Sequence, residues 1–113
     1  MIKRIWHGWT TLANADRYER LLREEIFEGI ASKAIPGYRG IELLRCETNG
    51  EVEFVTIMTF DSLDAVRAFA GEDYETAYVP PAARAVLARF DARSRHYEHR
   101  AIMEYGGPTQ RAP

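Results

Sequence analysis

The feature that most restricts the fold of this chain is the order of its hydrophobic periodicities around one tight turn. Asn49-Gly50 is the strongest short signal for a β-hairpin, because both residues accept positive φ at little cost. The residues on either side of it alternate as strands, and a stretch of helical periodicity joins each of these strands to a further strand. Two strand–helix–strand units joined at one hairpin predict a single antiparallel sheet with helices on one face.

The element boundaries follow from capping and breaking residues. Asn14 or Asp16 begins the first helix, which Pro36-Gly37 ends, while Ser62 begins the second and Gly71 ends it. We expect strands over residues 2–11, 39–48, 52–60 and 93–103, and a third helix over residues 82–90. The predicted fold class is therefore α+β, a ferredoxin-like split β-α-β plait with a four-stranded antiparallel sheet. One domain would cover residues 1–103, and residues 104–113 would form a flexible or partner-crossing tail.

The first strand carries large side chains on both faces. Alternation assigns one face to Arg4, Trp6, Gly8 and Thr10 and the other to Ile5, His7, Trp9 and Thr11. Aromatic residues on both faces predict that each face meets an apolar neighbour, either the helices or a second subunit. The face that the helices leave uncovered is therefore expected to find a partner.

Composition excludes several function classes. The 113 residues carry 15 basic and 17 acidic side chains, a net charge of −2 that argues against nucleic-acid binding. No apolar run approaches the ~20 residues of a membrane span. The lone Cys46 suits a half-buried structural thiol in a reducing compartment, so a cytoplasmic location is expected. The three histidines lack the spacing of a metal site, and no phosphate-binding loop is present, so we expect neither metal nor cofactor.

The residues with chemical potential form one predicted cluster of aromatic and histidine side chains. His7 and His96 lie on strands that neighbour each other in this plait, and either is a candidate catalytic base near neutral pH. The candidate substrate-binding residues are Trp9, Phe60, Tyr74 and Tyr78. Such walls suit a flat aromatic ligand in a cleft between sheet and helices. The plainer interpretation is that these aromatics belong to the core or a subunit interface and that the histidines are structural.

Several segments within residues 1–101 also resemble one known family. They are Ile2-Lys3-Arg4-Ile5-Trp6-His7-Gly8, the helix end Pro36-Gly37, Met58-Thr59-Phe60-Asp61-Ser62-Leu63-Asp64-Ala65-Val66 and Arg95-His96-Tyr97-Glu98. They resemble the antibiotic-biosynthesis monooxygenase-like group of dimeric α/β-barrel proteins. The resemblance implies a homodimer with one ligand cleft per subunit, in a family that includes cofactor-free oxygenases and haem-degrading enzymes. Two positions depart from the family pattern: Phe60 replaces its usual Trp, and Tyr78 stands where the haem-degrading branch has a ligating His.

The functional hypothesis is a small homodimeric enzyme of the cofactor-independent monooxygenase type, acting on a phenolic or quinone-like aromatic. His7 or His96 would deprotonate the substrate, and Arg67 or Arg84 would stabilise the oxyanion. Two alternatives stay open: a non-catalytic ligand-binding or stress-associated dimer of the same fold, and an accessory protein that docks through its sheet face.

Overall fold

An antiparallel sheet built on β1 organises the molecule. A computed structural model describes residues 1–106 of the chain. The strands are β1 (Ile2–Thr11), β2 (Tyr38–Thr48), β3 (Glu51–Phe60), β4 (Arg89–Phe90) and β5 (Arg95–Glu98). The helical segments are α1 (Ala15–Leu21), a π-helical segment (Leu22–Ile26), α2 (Phe27–Ser32), α3 (Leu63–Ala70) and α4 (Pro81–Arg84).

The strand order confirms the predicted α+β plait. β2, β3, β1 and β4 are neighbours in that order, and β5 also pairs with β1, so β4 and β5 share the fourth strand position. β1 and β3 pair from Ile2 opposite Phe60 to Thr11 opposite Glu51 without a break. The hairpin between β2 and β3 turns at residues 49–50, which have positive φ as expected.

The fourth strand differs from its prediction, as does the helix before it. The predicted helix over residues 82–90 ends at Arg84, and the predicted strand over 93–103 is reduced to Arg95–Glu98. The early end of the helix is explained by the edge of β1, because Ala88 and Asp91 donate their backbone N–H groups to the carbonyls of Trp9 and His7. Between β4 and β5 the chain leaves β1, and Ser94 N–H donates to the carbonyl of Glu75 instead. Tertiary hydrogen bonding thus overrides the local helical pattern.

The face of the sheet that the helices cover holds the core. Along β1 and β3 every second residue is buried, and Phe54 and Phe60 are fully enclosed. Tyr18 of α1 packs edge-on against Phe54 with ring centroids 4.9 Å apart. Gly8 gives the Trp6 indole its room, because a Cβ at position 8 would lie 2.5 Å from that ring.

The opposite face, which we call the open face, is only partly buried. Register places Ile5 of β1 beside Ile57 of β3, and Val55 beside Leu44 of β2, on this face. Cys46 lies on the same side and is exposed, so the expectation of a half-buried thiol is wrong. Residues 107–113 of the expected tail lie outside the described residues.

Candidate functional site

A small cavity lies between the sheet and the helices. Its volume is about 40 Å³, and aromatic side chains form much of its wall: Trp6, Tyr18, Phe27, Phe69 and Tyr78. Leu22 and Ile26 of the π-helical segment add aliphatic surface. Single π turns occur frequently at functional sites, where the extra residue redirects side chains. The lining also contains three polar side chains, those of Arg4, Thr56 and Ser94.

The size of the cavity limits what it accepts without movement. An apolar cavity of about 150 Å³ takes one benzene molecule, whereas a few tens of Å³ hold only water. At about 40 Å³ the cavity must widen before an aromatic ring can occupy it. The wall residue suited to that motion is Tyr78, which is 45% exposed. Its ring packs edge-on against Phe69 at 5.4 Å, and Lys33 Nζ lies 4.5 Å from its centroid.

Arg4 is the most unusual group in the wall, because its charge is buried. The residue is 3% exposed. Its Nη2 donates to the carbonyl of Thr76 at 3.0 Å, and its Nη1 donates to the carbonyl of Tyr74 and to His96 Nε2. All three acceptors are neutral, and none of the ion pairs formed among residues 1–106 includes Arg4.

Burial disfavours the charge of this guanidinium. It lowers the pKa of Arg4 to about 10, because removal from water disfavours the charged form. Since each tenfold change in proton affinity corresponds to 1.36 kcal/mol, the buried charge costs roughly 3 kcal/mol. Arg4 nevertheless stays protonated at neutral pH. The cavity wall therefore carries a positive charge that its protein surroundings only partly compensate.

His96 is coupled to this charge. Nη1 of Arg4 lies 3.0 Å from Nε2 of His96, and because the guanidinium only donates, Nε2 accepts and the proton sits on Nδ1. That Nδ1 is buried and has no hydrogen-bond partner among residues 1–106. Burial, and secondarily the charge of Arg4, lowers the pKa of His96 below its ordinary value. His96 is thus held as a neutral imidazole, the form that accepts a proton.

The remaining predicted site residues divide between the two faces of the sheet. Tyr78 lines the cavity, as expected of a wall residue. Tyr74 adjoins the cavity residue Arg4, which donates to its carbonyl, and its ring is edge-on to His96 with ring centroids 5.1 Å apart. Phe60 is fully buried behind Phe69, at 5.9 Å, and supports the wall rather than lining it. Their roles toward a ligand stay predictions.

His7 and Trp9 lie on the open face, away from the cavity. Register places His7 opposite Val55, whereas Arg4 and His96 are paired on the face toward the helices. The expectation that His7 and His96 come close is therefore wrong, because His7 lies three positions from Arg4 along β1, an odd offset that places the two side chains on opposite faces. His7 Nδ1 donates instead to Glu53 Oε2 at 2.6 Å, and its ring stacks on Trp9.

Sequence reasoning missed Arg4, although the necessary signal was present. Alternation already assigned Arg4 to the face of Trp6 and Thr10, both of which are buried. An arginine on the buried face of a central strand is rare enough to mark a site. The arginines considered instead are engaged elsewhere: Arg67 pairs with Asp64 on the surface, and Arg84 donates to the carbonyl of Val79.

Among residues 1–106 no three His, Cys, Asp or Glu side chains are grouped so that they could hold a metal ion. Within the same residues there is no helix with the length and apolar character needed to traverse a bilayer.

Comparison with known proteins identifies the fold. The chain matches no protein-family model and no curated protein sequence. It does match the crystal structure of a Bacillus cereus protein assigned provisionally to the antibiotic biosynthesis monooxygenases, with a TM-score of 0.61 and 15% sequence identity. The match covers 92% of this chain and 97% of that one. The protein therefore has the antibiotic-biosynthesis monooxygenase-like fold.

Proposed function

We propose that this protein binds a flat aromatic molecule, phenolic or quinone-like, between its sheet and helices and oxidises it as a cofactor-independent monooxygenase. The observation that carries the proposal is the composition of the cavity wall: five aromatic rings surround a few polar groups, including the buried Arg4. Apolar walls with few, fixed polar groups are typical of small-molecule sites. The assignment of the Bacillus cereus protein with the same fold agrees with it.

Admission of the ligand requires Tyr78 to move. Its ring is half exposed and is held by Phe69 and Lys33, contacts that each contribute only about 1 kcal/mol. Rotation of this side chain outward opens the cavity without breaking any strand pairing. The ligand ring then replaces Tyr78 against Phe69.

His96 is the proton acceptor in the proposed reaction. Its Nε2 carries no proton, and its low pKa keeps it neutral at pH 7. A phenol that displaces Arg4 from Nε2 passes its proton to the imidazole, and the electron-rich anion reacts with oxygen at a ring carbon. The overall conversion is phenol plus O2 to quinone plus water: one oxygen atom becomes the new carbonyl and the other leaves as water, so no external reductant is needed.

A non-catalytic ligand-binding protein is the second candidate. The observation that favours it is the hydrogen bond between Arg4 and His96, because it occupies the only unprotonated nitrogen of the imidazole. If that bond persists when ligand is bound, the cavity binds aromatics but transfers no proton.

A second copy of the chain is the proposed occupant of the open face. Ile5, Val55, Ile57 and Leu44 form an apolar centre there, and Leu44 is 50% exposed. The pair His7–Glu53 lies beside this centre with side chains 38% and 32% exposed. A homodimer would bury these groups and leave one cavity per subunit. A cytoplasmic location also stays a prediction, supported by the free thiol of Cys46.

Oxygen uptake with 1-naphthol tests the enzymatic proposal. The wild-type protein is expected to consume one O2 per naphthol converted to naphthoquinone, while His96→Gln loses most of this activity and retains binding. His7→Gln is the matched control, because it alters a histidine on the opposite face, and it is expected to keep the activity. Binding is followed by quenching of Trp6, which lines the cavity.

Three outcomes would decide against all or part of the proposal. Quenching by naphthol without oxygen uptake would support the non-catalytic candidate. Equal uptake by His96→Gln and wild type would remove His96 from the reaction. Absence of both quenching and uptake would contradict an aromatic site between sheet and helices.

A further inference from the structure

We propose that Arg4 anchors an anionic oxygen of the ligand, so that the cavity takes an aromatic molecule as its phenolate or carboxylate. The inference rests on the proposed function in placing the ligand in this cavity, and it deepens it by naming the ligand's charge. The consequence for a phenol is that binding stabilises the ionised form. Arg4 then activates the substrate as well as holding it.

The positive charge of Arg4 has no negative partner among residues 1–106. Every arginine that forms an ion pair within residues 1–106 does so from an exposed position, with a side chain between 37% and 83% exposed. Arg4, at 3% exposed, is bound within this part of the chain only by two backbone carbonyls and a neutral imidazole. A buried cation normally has a paired anion, because removing an isolated charge from water is costly. A ligand anion supplies the missing partner.

Arg4 also has hydrogen-bond donors that residues 1–106 do not use. A guanidinium has five N–H groups arranged as a fork that matches two oxygen acceptors. The three bonds of Arg4 to residues 1–106 all come from Nη1 and Nη2, so Nε and one further N–H stay available. Arg4 also belongs to the cavity wall, and its guanidinium lies 5.4 Å from the ring centroid of Phe69. The free donors and the aromatic surface therefore lie side by side.

The competing explanation is purely structural. Arg4 ties the carbonyls of Tyr74 and Thr76 to β1 and so fixes the segment before α4. A purely structural role predicts that replacing Arg4 lowers the stability of the fold. It predicts no preference of the cavity for anionic over neutral ligands. Ligand charge is therefore the variable that separates the two explanations.

The test uses 4-nitrophenol, whose phenolate absorbs visible light, and the isosteric pair benzoate and benzamide. Wild-type protein is expected to lower the pKa of bound 4-nitrophenol by at least 1, and to bind benzoate at least tenfold more tightly than benzamide. Arg4→Met is expected to lose both effects. Arg4→Lys is the matched control, since it keeps the charge without the fork and is expected to retain part of the preference. Circular dichroism reports whether each variant is folded.

The outcomes separate this inference from the proposed function. Equal binding of benzoate and benzamide to wild type would overturn the anion site and leave the aromatic site standing, and this arm needs no variant to fold. Binding of hexanoate without binding of any aromatic probe would support the anion site and contradict the aromatic one. An unchanged benzoate preference in folded Arg4→Met would assign the effect to another group and overturn the role of Arg4.

Discussion

The two faces of the sheet carry the same kind of residue in opposite electrostatic settings. On the face toward the helices, His96 Nε2 accepts from the cation Arg4 at 3.0 Å. On the open face, His7 donates to the carboxylate of Glu53 at 2.6 Å. Burial, and secondarily the neighbouring cation, lowers the pKa of His96 and keeps its imidazole neutral. His96 therefore presents an unprotonated nitrogen beside a cation, whereas His7 is held in a polar contact with a carboxylate.

The faces also differ in what covers them. The inner face is covered by α1, the π-helical segment and α3, and its residues on β3 are buried. The open face has no such cover among residues 1–106, and its residues on β3 are of intermediate burial. Substitutions on the two faces are therefore expected to act on different equilibria, folding on one side and association on the other.

Truncation on the inner face is expected to have the largest effect. Phe54 is fully buried and packs against Tyr18, so Phe54→Ala should lower the free energy of unfolding by about 3–5 kcal/mol. The matched truncation Val55→Ala, at the next position on the open face, should cost less than half of this. Urea denaturation measures both. Equal losses at the two positions would contradict the division between the faces.

A charge on the open face is expected to act on association. Ile57→Asp would place a carboxylate in each half of the proposed interface, and should weaken the dimer at least 100-fold while the monomer stays folded. Light scattering should then give 13.0 kDa in place of twice that mass. Ile57→Val is the conservative control and should remain dimeric. A wild-type particle of one chain's mass would contradict the homodimer itself.

The smallest expected effect is the pH dependence that His96 adds to stability. Its pKa is lowered in the folded state, so the unfolded chain binds the proton more readily. The resulting stability is complete above about pH 6.5, the unfolded value, and is lost as the pH falls through 6.5 toward the folded pKa. Thermal melts between pH 5 and pH 8 should show this decline in the wild type and less of it in His96→Gln.

A second variant sharpens the assignment of that pH dependence. Arg4→Met removes the smaller cause of the lowered pKa and leaves the larger one, burial. Its pH profile should therefore lie between those of wild type and His96→Gln. Identical profiles for wild type and His96→Gln would show that other groups control stability in this range.

The arrangement of the sheet was predictable from local signals. Asn49-Gly50 fixes the hairpin because positive φ is cheap there, and alternation along β3 then determines which residues share a face. The fourth strand was not predictable from its own residues. Residues 82–90 have a helical pattern, but the N–H groups of Ala88 and Asp91 bond to the edge of β1, a demand that arises only once the sheet exists.

The candidate site was predictable only in part. Tyr78 was identified as a wall residue, while His7 and Trp9 were placed in the same cleft although they lie on the other face. Aromatic residues on both sides of β1 made the two faces look alike. Register with β3 separates them, because Phe54 and Phe60 of β3 lie on the side of Arg4 and Trp6.

The sequence by itself determined the class of fold, the hairpin and the grouping of residues along each strand, since these depend on backbone sterics and on neighbours close in the chain. Tertiary structure alone decided which face the helices cover, and so which histidine meets Arg4. Burial and charge pairing between residues distant in the chain control that choice. The chemistry available to His96 exists only because β5 returns beside β1.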